Sequence, residues 1–135
     1  MWWPYLQALH AFLAADDGLA GVALSYGTGG AVPEARTIEL VRGPEQPDDL
    51  MCPRQGRLTI WIDTWAHDRD DVQALAGLTA LEGALIAALD RWQRSGARVE
   101  DTVFRLAVSR RDPDGGIFRP TRGSRTHLQI DWRKG

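Results

Sequence analysis

The stretch Leu58–Leu89, LTIWIDTWAHDRDDVQALAGLTALEGALIAAL, decides the fold. Its first eight residues alternate. Leu58, Ile60 and Ile62 point one way and Thr59, Trp61, Asp63 and Trp65 the other, the two-residue period of a strand. A short acidic turn follows. Asp68 is placed to cap a helix start, and Asp70 and Asp71 put negative charge on its first turn, where the helix dipole favours it. The spacing Ala74, Leu78, Leu81, Leu85, Ala88, Trp92 then alternates four and three residues, so these side chains share one helical face. A long helix therefore folds back onto one face of a sheet. The other face keeps Trp61 and Trp65, which a lone two-layer domain leaves in water. That arrangement points to a chain built to assemble with others.

Upstream, Pro4 fits the first turn of a helix running to about Ala15, with Leu6, Leu9, Phe12 and Leu13 inward and Asp16-Asp17-Gly18 ending it. Val22–Tyr26 reads as a short strand, Gly27-Thr28-Gly29-Gly30 as a turn, and Thr37–Arg42 as a second strand with Ile38 and Leu40 on one side. From Gly43 to Arg57 the chain carries Pro44, Pro47 and Pro53 with little periodicity, which predicts a loop. Downstream, Ser95-Gly96 stops the long helix. Val103–Arg110 is a strand with Phe104, Leu106 and Val108 inward and Arg105, Ala107 and Ser109 outward. Thr126–Arg133 is another, with Leu128, Ile130 and Trp132 inward and His127, Gln129, Asp131 and Arg133 outward. Between them Arg111–Arg125, RDPDGGIFRPTRGSR, reads as a long loop that projects from the sheet.

These elements predict an α/β (α+β) fold: a two-layer domain with a mixed, mainly antiparallel sheet of four to five strands and two helices on one face. The 135 residues fit one domain, 1–135, that buries roughly two-thirds of its unfolded surface. Composition is 44% apolar and 25% charged, with a formal net charge of −2. No apolar run approaches the ~20 residues that span a bilayer, so no membrane helix is expected. The start, MWWPYLQALHAFLAADD, has no positive charge before its apolar stretch and reads as a domain helix rather than a secretory signal. Cys52 is alone, which excludes an internal disulfide, and the loop context before Pro53 suggests a buried or half-buried thiol rather than a reactive one.

The small net charge conceals a division. Residues 1–90 hold five Arg and thirteen acids, −8; residues 91–135 hold ten Arg, one Lys and five acids, +6. A chain acidic at one end and basic at the other can bind a copy of itself if those ends lie on different surfaces. GC-rich coding would also favour Arg over Lys, but it does not explain the asymmetry.

No catalytic constellation emerges, and neither a cofactor nor a metal is expected. Gly27–Gly30 superficially resembles a phosphate loop, but no Lys-Ser or Lys-Thr follows and Pro33 breaks the helix that should open there. His10, His67 and His127 lie on a helix, a turn and a strand with no metal-ligand spacing. Asp63 is a mid-strand carboxylate beside tryptophans, a place where burial can raise a pKa, yet Arg105 or His127 on a neighbouring strand could pair with it. Arg110, Arg111, Arg119, Arg122 and Arg125 flank Phe118, a mixture that suits a nucleic-acid groove. It suits equally a loop that inserts Ile117 and Phe118 into a protein neighbour with Arg around the rim. The overall acidity, the single Lys and the nearby Asp112, Asp114 and Asp131 favour protein contact. The expected interface is therefore Trp61, Trp65, Arg110, Arg111, Ile117, Phe118, Arg119, Arg122 and Arg125.

The order of elements also resembles a known family. A first helix and small strand (Trp2–Ala15, Val22–Tyr26), a strand after a Pro-containing loop (Thr37–Val41), the strand–turn–helix Leu58–Leu89 with ALAGLTALEGALIAAL, and a closing long-loop hairpin are similar to the tail terminator proteins of long-tailed bacteriophages. The resemblance covers nearly the whole chain and is one of pattern; the chain departs from it in its Trp content and in Gly43–Arg57. It implies a non-enzymatic virion protein, assembled in the bacterial host cytoplasm. Such a protein forms a hexameric ring on the finished tail tube, stops tube polymerisation and presents the head-joining surface. The implied partners are further copies of itself, the major tail tube protein and a head–tail connector, with no membrane, and with DNA only passing through the ring lumen. Other neck and connector ring proteins share the pattern, and an Arg-rich nucleic-acid-binding accessory protein is the reading from a different class.

Overall fold

The computed structural model describes residues 1–27, 35–114 and 121–135. In chain order these form α1 (Trp2–Ala14), a 3-10 turn (Asp17–Leu19), β1 (Ala23–Tyr26), β2 (Thr37–Pro47), β3 (Gln55–His67), α2 (Asp71–Arg94), β4 (Thr102–Pro113) and β5 (Thr121–Lys134). The five strands make one sheet in the order β1-β2-β3-β5-β4. β1 and β2 run parallel and every other neighbouring pair antiparallel, so the sheet is mixed and mainly antiparallel, with the helices packed on one face.

The alternation in β3 does what its period dictates: Leu58, Ile60 and Ile62 are buried, and Thr64 and Ala66 continue the same row. Leu128, Ile130 and Trp132 of β5 and Ile38 and Leu40 of β2 lie beside them, covered by Leu81, Leu85, Ala88 and Trp92 of α2 and by Tyr5, Leu9 and Leu13 of α1. The six α2 positions read as one face are all buried. Phe12 is only partly covered, and Tyr5 takes its expected depth. Tyr5 hydrogen-bonds Thr102 Oγ1, and burial pushes its phenol up to about 12.

Several boundaries differ from expectation. The helix cap is Asp70, whose Oδ1 accepts from the N–H groups of Val72 (2.9 Å) and Gln73 (3.4 Å); Asp68 instead accepts from Asp70 N–H and shapes the turn before it. Gly43–Arg57 is not a crossing loop. β2 runs on to Pro47 and β3 begins at Gln55, so the two close as a hairpin. Pro44 sits in a register shift between Arg42 and Glu45, and among the described residues β2 past Leu40 has no strand partner on its other side, so neither Pro44 nor Pro47 removes a needed donor. Gly43 is required at that bulge, because a Cβ there would stand 2.7 Å from the Thr59 carbonyl oxygen.

β4 and β5 likewise extend far into the segment read as a long loop, pairing through Pro113↔Ser124. Only Asp114 and residues 115–120 lie between them, and Ile117, Phe118 and Arg119 fall outside the described residues, as does the expected Gly27–Gly30 turn from Thr28 onward. Val108 lies opposite buried Leu128 on the helix side, as expected, but stays exposed there, on the edge strand and next to a second register shift between Val108 and Arg110. Cys52 is exposed, because it lies at the hairpin tip and not in a loop folded over the domain.

The expectation that no segment has the makings of a membrane span also needs correction. α2 is 24 residues long, with a mean hydropathy of 1.7 over its best 18-residue window, and by length and composition alone it could cross a bilayer. Thr79 and Glu82 interrupt any apolar run, but they scarcely lower the average. A third of that window is buried inside this fold.

Candidate assembly face

The sheet face turned away from the helices is built from facing pairs of β3 and β5: Trp65↔Gly123, Asp63↔Arg125, Trp61↔His127, Thr59↔Gln129 and Arg57↔Asp131. Each pair shares a side because directly opposed residues of antiparallel strands do. Trp65 lies flat across Gly123, where a Cβ would come within 2.4 Å of two indole ring carbons. The glycine leaves a slot that the indole fills. The Arg125 guanidinium carbon stands 4.7 Å over the Trp61 ring, and His127 meets that ring edge-on at 6.0 Å. Both tryptophans are half-buried by these neighbours and remain part of the surface.

Charge on this face is organised in pairs. Arg125 donates to both oxygens of Asp63, at 2.7 and 2.9 Å, and this bond raises the guanidinium pKa. Asp63 was expected to pair with Arg105 or His127; register decides otherwise by placing Arg125 directly opposite. Glu39, on β2 across from Asp63, is pushed up by burial and then by the Asp63 charge. Asp112 meets His127 Nε2 at 2.9 Å and accepts from Arg110 at 3.0 Å, and these contacts, the histidine's first, hold its carboxyl below the ordinary value. Toward the far end, Arg57, Arg105, Arg133, Asp131 and Asp48 border a shallow groove of about 660 Å³. Among the described residues no group of three His, Cys, Asp or Glu side chains could hold a metal ion.

The structure divides the expected interface residues. Trp61, Trp65, Arg110 and Arg125 share the open face. Arg111 and Arg122 lie on the helix side. The bulge after Val108 shifts β4 so that Arg111 stands opposite buried Thr126, whose Oγ1 accepts from Arg111 Nε at 3.1 Å; Glu82 of α2 is 3.4 Å away. Arg122 is opposite Ala66 and grips Asp71 at the start of α2 with two bonds of 2.8 and 2.9 Å. A polar seam beneath α2 continues this bracing: Ser124 Oγ donates to Glu82 at 2.6 Å and contacts Thr64 Oγ1 at 2.8 Å.

Two exposed apolar features were not legible as such. Leu50 and Met51 stand at the β2–β3 tip with 88% and 95% of their surface open, and α2 carries exposed Val72, Leu75 and Ile86 outside its core stripe. A helical wheel of Val72–Ala87 does show this second apolar side; the strength of the first one masks it.

No protein-family profile matches the chain, and no curated protein does. Among solved structures the fold is similar to that of a chain from the virion of a native gene transfer agent (GTA) particle, with a TM-score of 0.64 and 14% identity over 95% of this chain and 93% of that one. What the two share is the fold.

Proposed function

We propose that this chain is a structural protein of a phage-like virion and, within that class, a tail terminator. In this reading residues 1–135 act as one domain that assembles into a ring, six-membered in the family the sequence resembles. The ring sits on the finished tail tube, stops its growth and provides the head-joining surface. The observation that carries the reading is the end-to-end likeness in fold to a chain of a gene transfer agent virion. It is supported by the open sheet face with two half-buried tryptophans.

Trp61 and Trp65, bordered by Arg110 and Arg125, face a neighbouring subunit; Arg111 and Arg122 hold α2 in place behind them. The segment with Ile117, Phe118 and Arg119 meets the tube. The partners are further copies of the chain, the tail tube protein and a head–tail connector, and DNA only passes through the lumen. Nucleic-acid binding has weaker support, because Arg110, Arg111, Arg122 and Arg125 already engage carboxylates of their own chain.

The test is tube length. Added to polymerising tail tube protein, the purified chain is expected to give tubes with a ring at one end and arrested growth, seen by electron microscopy. Ile117→Ser with Phe118→Ser should lose arrest while the ring persists. Trp61→Ala should weaken ring formation about tenfold or more, since burying an indole against a neighbour is worth ~2–3 kcal/mol, with circular dichroism unchanged. A ring that leaves tube growth unaffected and binds the connector instead would favour the neck-ring reading. A DNA shift at physiological salt that is lost on replacing Arg119, Arg122 and Arg125 would favour nucleic-acid binding.

A further inference from the structure

At one end of the open sheet face the charges do not balance. Strands β3, β4 and β5 carry five arginines on that face, Arg57, Arg105, Arg110, Arg125 and Arg133. Arg57, Arg110 and Arg125 each hold a carboxylate of their own chain. Arg105 and Arg133 hold none among the described residues, and both line the groove of about 660 Å³. Register explains why. Asp131 lies directly opposite Arg57 on one side and Arg105 on the other, a single carboxylate between two guanidinium groups. It goes to Arg57, which donates to Oδ1 at 2.7 Å and to Oδ2 at 3.4 Å, and Arg105 is left over. Arg133 stands one pleat further along β5, diagonal to both Arg57 and Arg105, where side chains on one face still reach each other. The other carboxylate of the groove, Asp48, is turned to its own hairpin, where Oδ1 accepts from the N–H groups of Arg54 (3.0 Å) and Gln55 (3.3 Å). Two planar, directional guanidinium forks are therefore presented to solvent across a concave surface.

We propose that this groove binds an extended acidic segment of a partner protein, with Arg105 and Arg133 gripping carboxylates on alternate residues of that segment. Geometry and charge select this occupant. The groove crosses β2, β3, β5 and β4, a width of about 14 Å at the usual strand spacing, which an extended segment spans in about four residues. Side chains two residues apart in such a segment point the same way and stand about 6–7 Å apart. That matches the ~7–8 Å between diagonal positions such as Arg105 and Arg133. Val103, opposite Arg133, offers an apolar contact to a neutral residue between them. Nucleic acid fits less well. Its phosphates follow one another without relief, and Asp48 and Asp131 would repel them, whereas a peptide can lay neutral residues over those two carboxylates. This binding is a property of the single chain and does not require the ring reading.

The test uses the purified chain and a short fluorescein-labelled peptide with glutamate at alternate positions, read by fluorescence anisotropy at about 50 and about 300 mM salt. Saturable binding that weakens with salt, and that the glutamine counterpart of the peptide lacks, is the expected result. Arg105→Ala and Arg133→Ala should each weaken it about tenfold. Arg69→Ala, which removes the same charge from the turn before α2, should leave it unchanged. Asp131→Asn should tighten it severalfold, because it frees Arg57 and removes the competing carboxylate, a gain that no loss of folding can produce. These side chains lie at the surface, and circular dichroism checks the fold. Absence of saturable binding up to millimolar peptide at the lower salt overturns the site. So does equal binding of the glutamine peptide, or an equal loss on Arg69→Ala. Duplex DNA that binds more tightly than the peptide, and is lost on Arg105→Ala and Arg133→Ala, would assign the groove to nucleic acid instead.

Discussion

Gly123 illustrates how one missing side chain shapes a face. An alternating strand offers no reason for glycine until its partner is known, and the partner is Trp65, whose ring occupies the space a Cβ would need. Gly123→Ala is expected to lower stability by about 1–3 kcal/mol in urea denaturation, as overpacking does, because the indole must swing outward. Trp65→Leu in the same background should recover part of the loss. Glu39 gives a pH-dependent counterpart. Its carboxyl is raised by burial and by Asp63, so the native fold disfavours the ionised form. That cost is absent below the unfolded pKa and is fully present above the folded one. Glu39→Gln should therefore stabilise the protein at pH 7 and have little effect at about pH 3–4. Asp112 has the opposite sign. Its depressed pKa means that stability present at neutral pH is lost as pH falls through the folded value, and Asp112→Asn should flatten the acid limb of a pH–stability profile.

Among the elements, α2 carries the most structure. Its cap is Asp70, so Asp70→Ala should cost about 1 kcal/mol, whereas Asp68→Ala, which removes only a contact within the turn, should cost less; thermal melts of the two variants separate them. Both residues satisfy the sequence rule for a cap, and only the path of the chain out of β3 decides which carboxylate reaches the free N–H groups. The two hairpins teach a similar lesson about proline. Pro44, Pro47 and Pro113 break a strand only if the missing N–H was needed, and that depends on whether another strand lies alongside. Among the described residues β2 past Leu40 is an edge and β4 is an edge throughout, so all three are tolerated within strands. The alternation of Leu58–Trp65 and Leu128–Trp132, by contrast, was readable directly, because a half-buried strand forces its own period onto the sequence.

On the scale of the molecule, the acidic and basic halves meet inside the chain. Arg91 binds Asp16, Arg122 binds Asp71, Arg125 binds Asp63, and Arg57 binds Asp131. Three of these four bridges join the basic last third to the acidic remainder. Assembly should therefore depend only weakly on salt. Sedimentation between about 0.05 and 0.5 M salt, where screening shortens from beyond 10 Å to a few ångströms, checks this, and a steep loss of oligomer at high salt would mean that the pairs open toward neighbours. The sequence by itself determined the two-layer α/β fold, the core stripe of α2 and the side of the sheet on which Trp61 and Trp65 lie, since each is set by a local period that burial imposes on consecutive residues. Only the tertiary structure decided that Arg125 rather than Arg105 or His127 meets Asp63, that Arg111 and Arg122 brace the helix while Arg110 and Arg125 face outward, and that Leu50 and Met51 stand on an exposed tip. Those outcomes depend on register, on two bulges and on which strands are edges. All of these are relations between distant segments, and no local spacing encodes them.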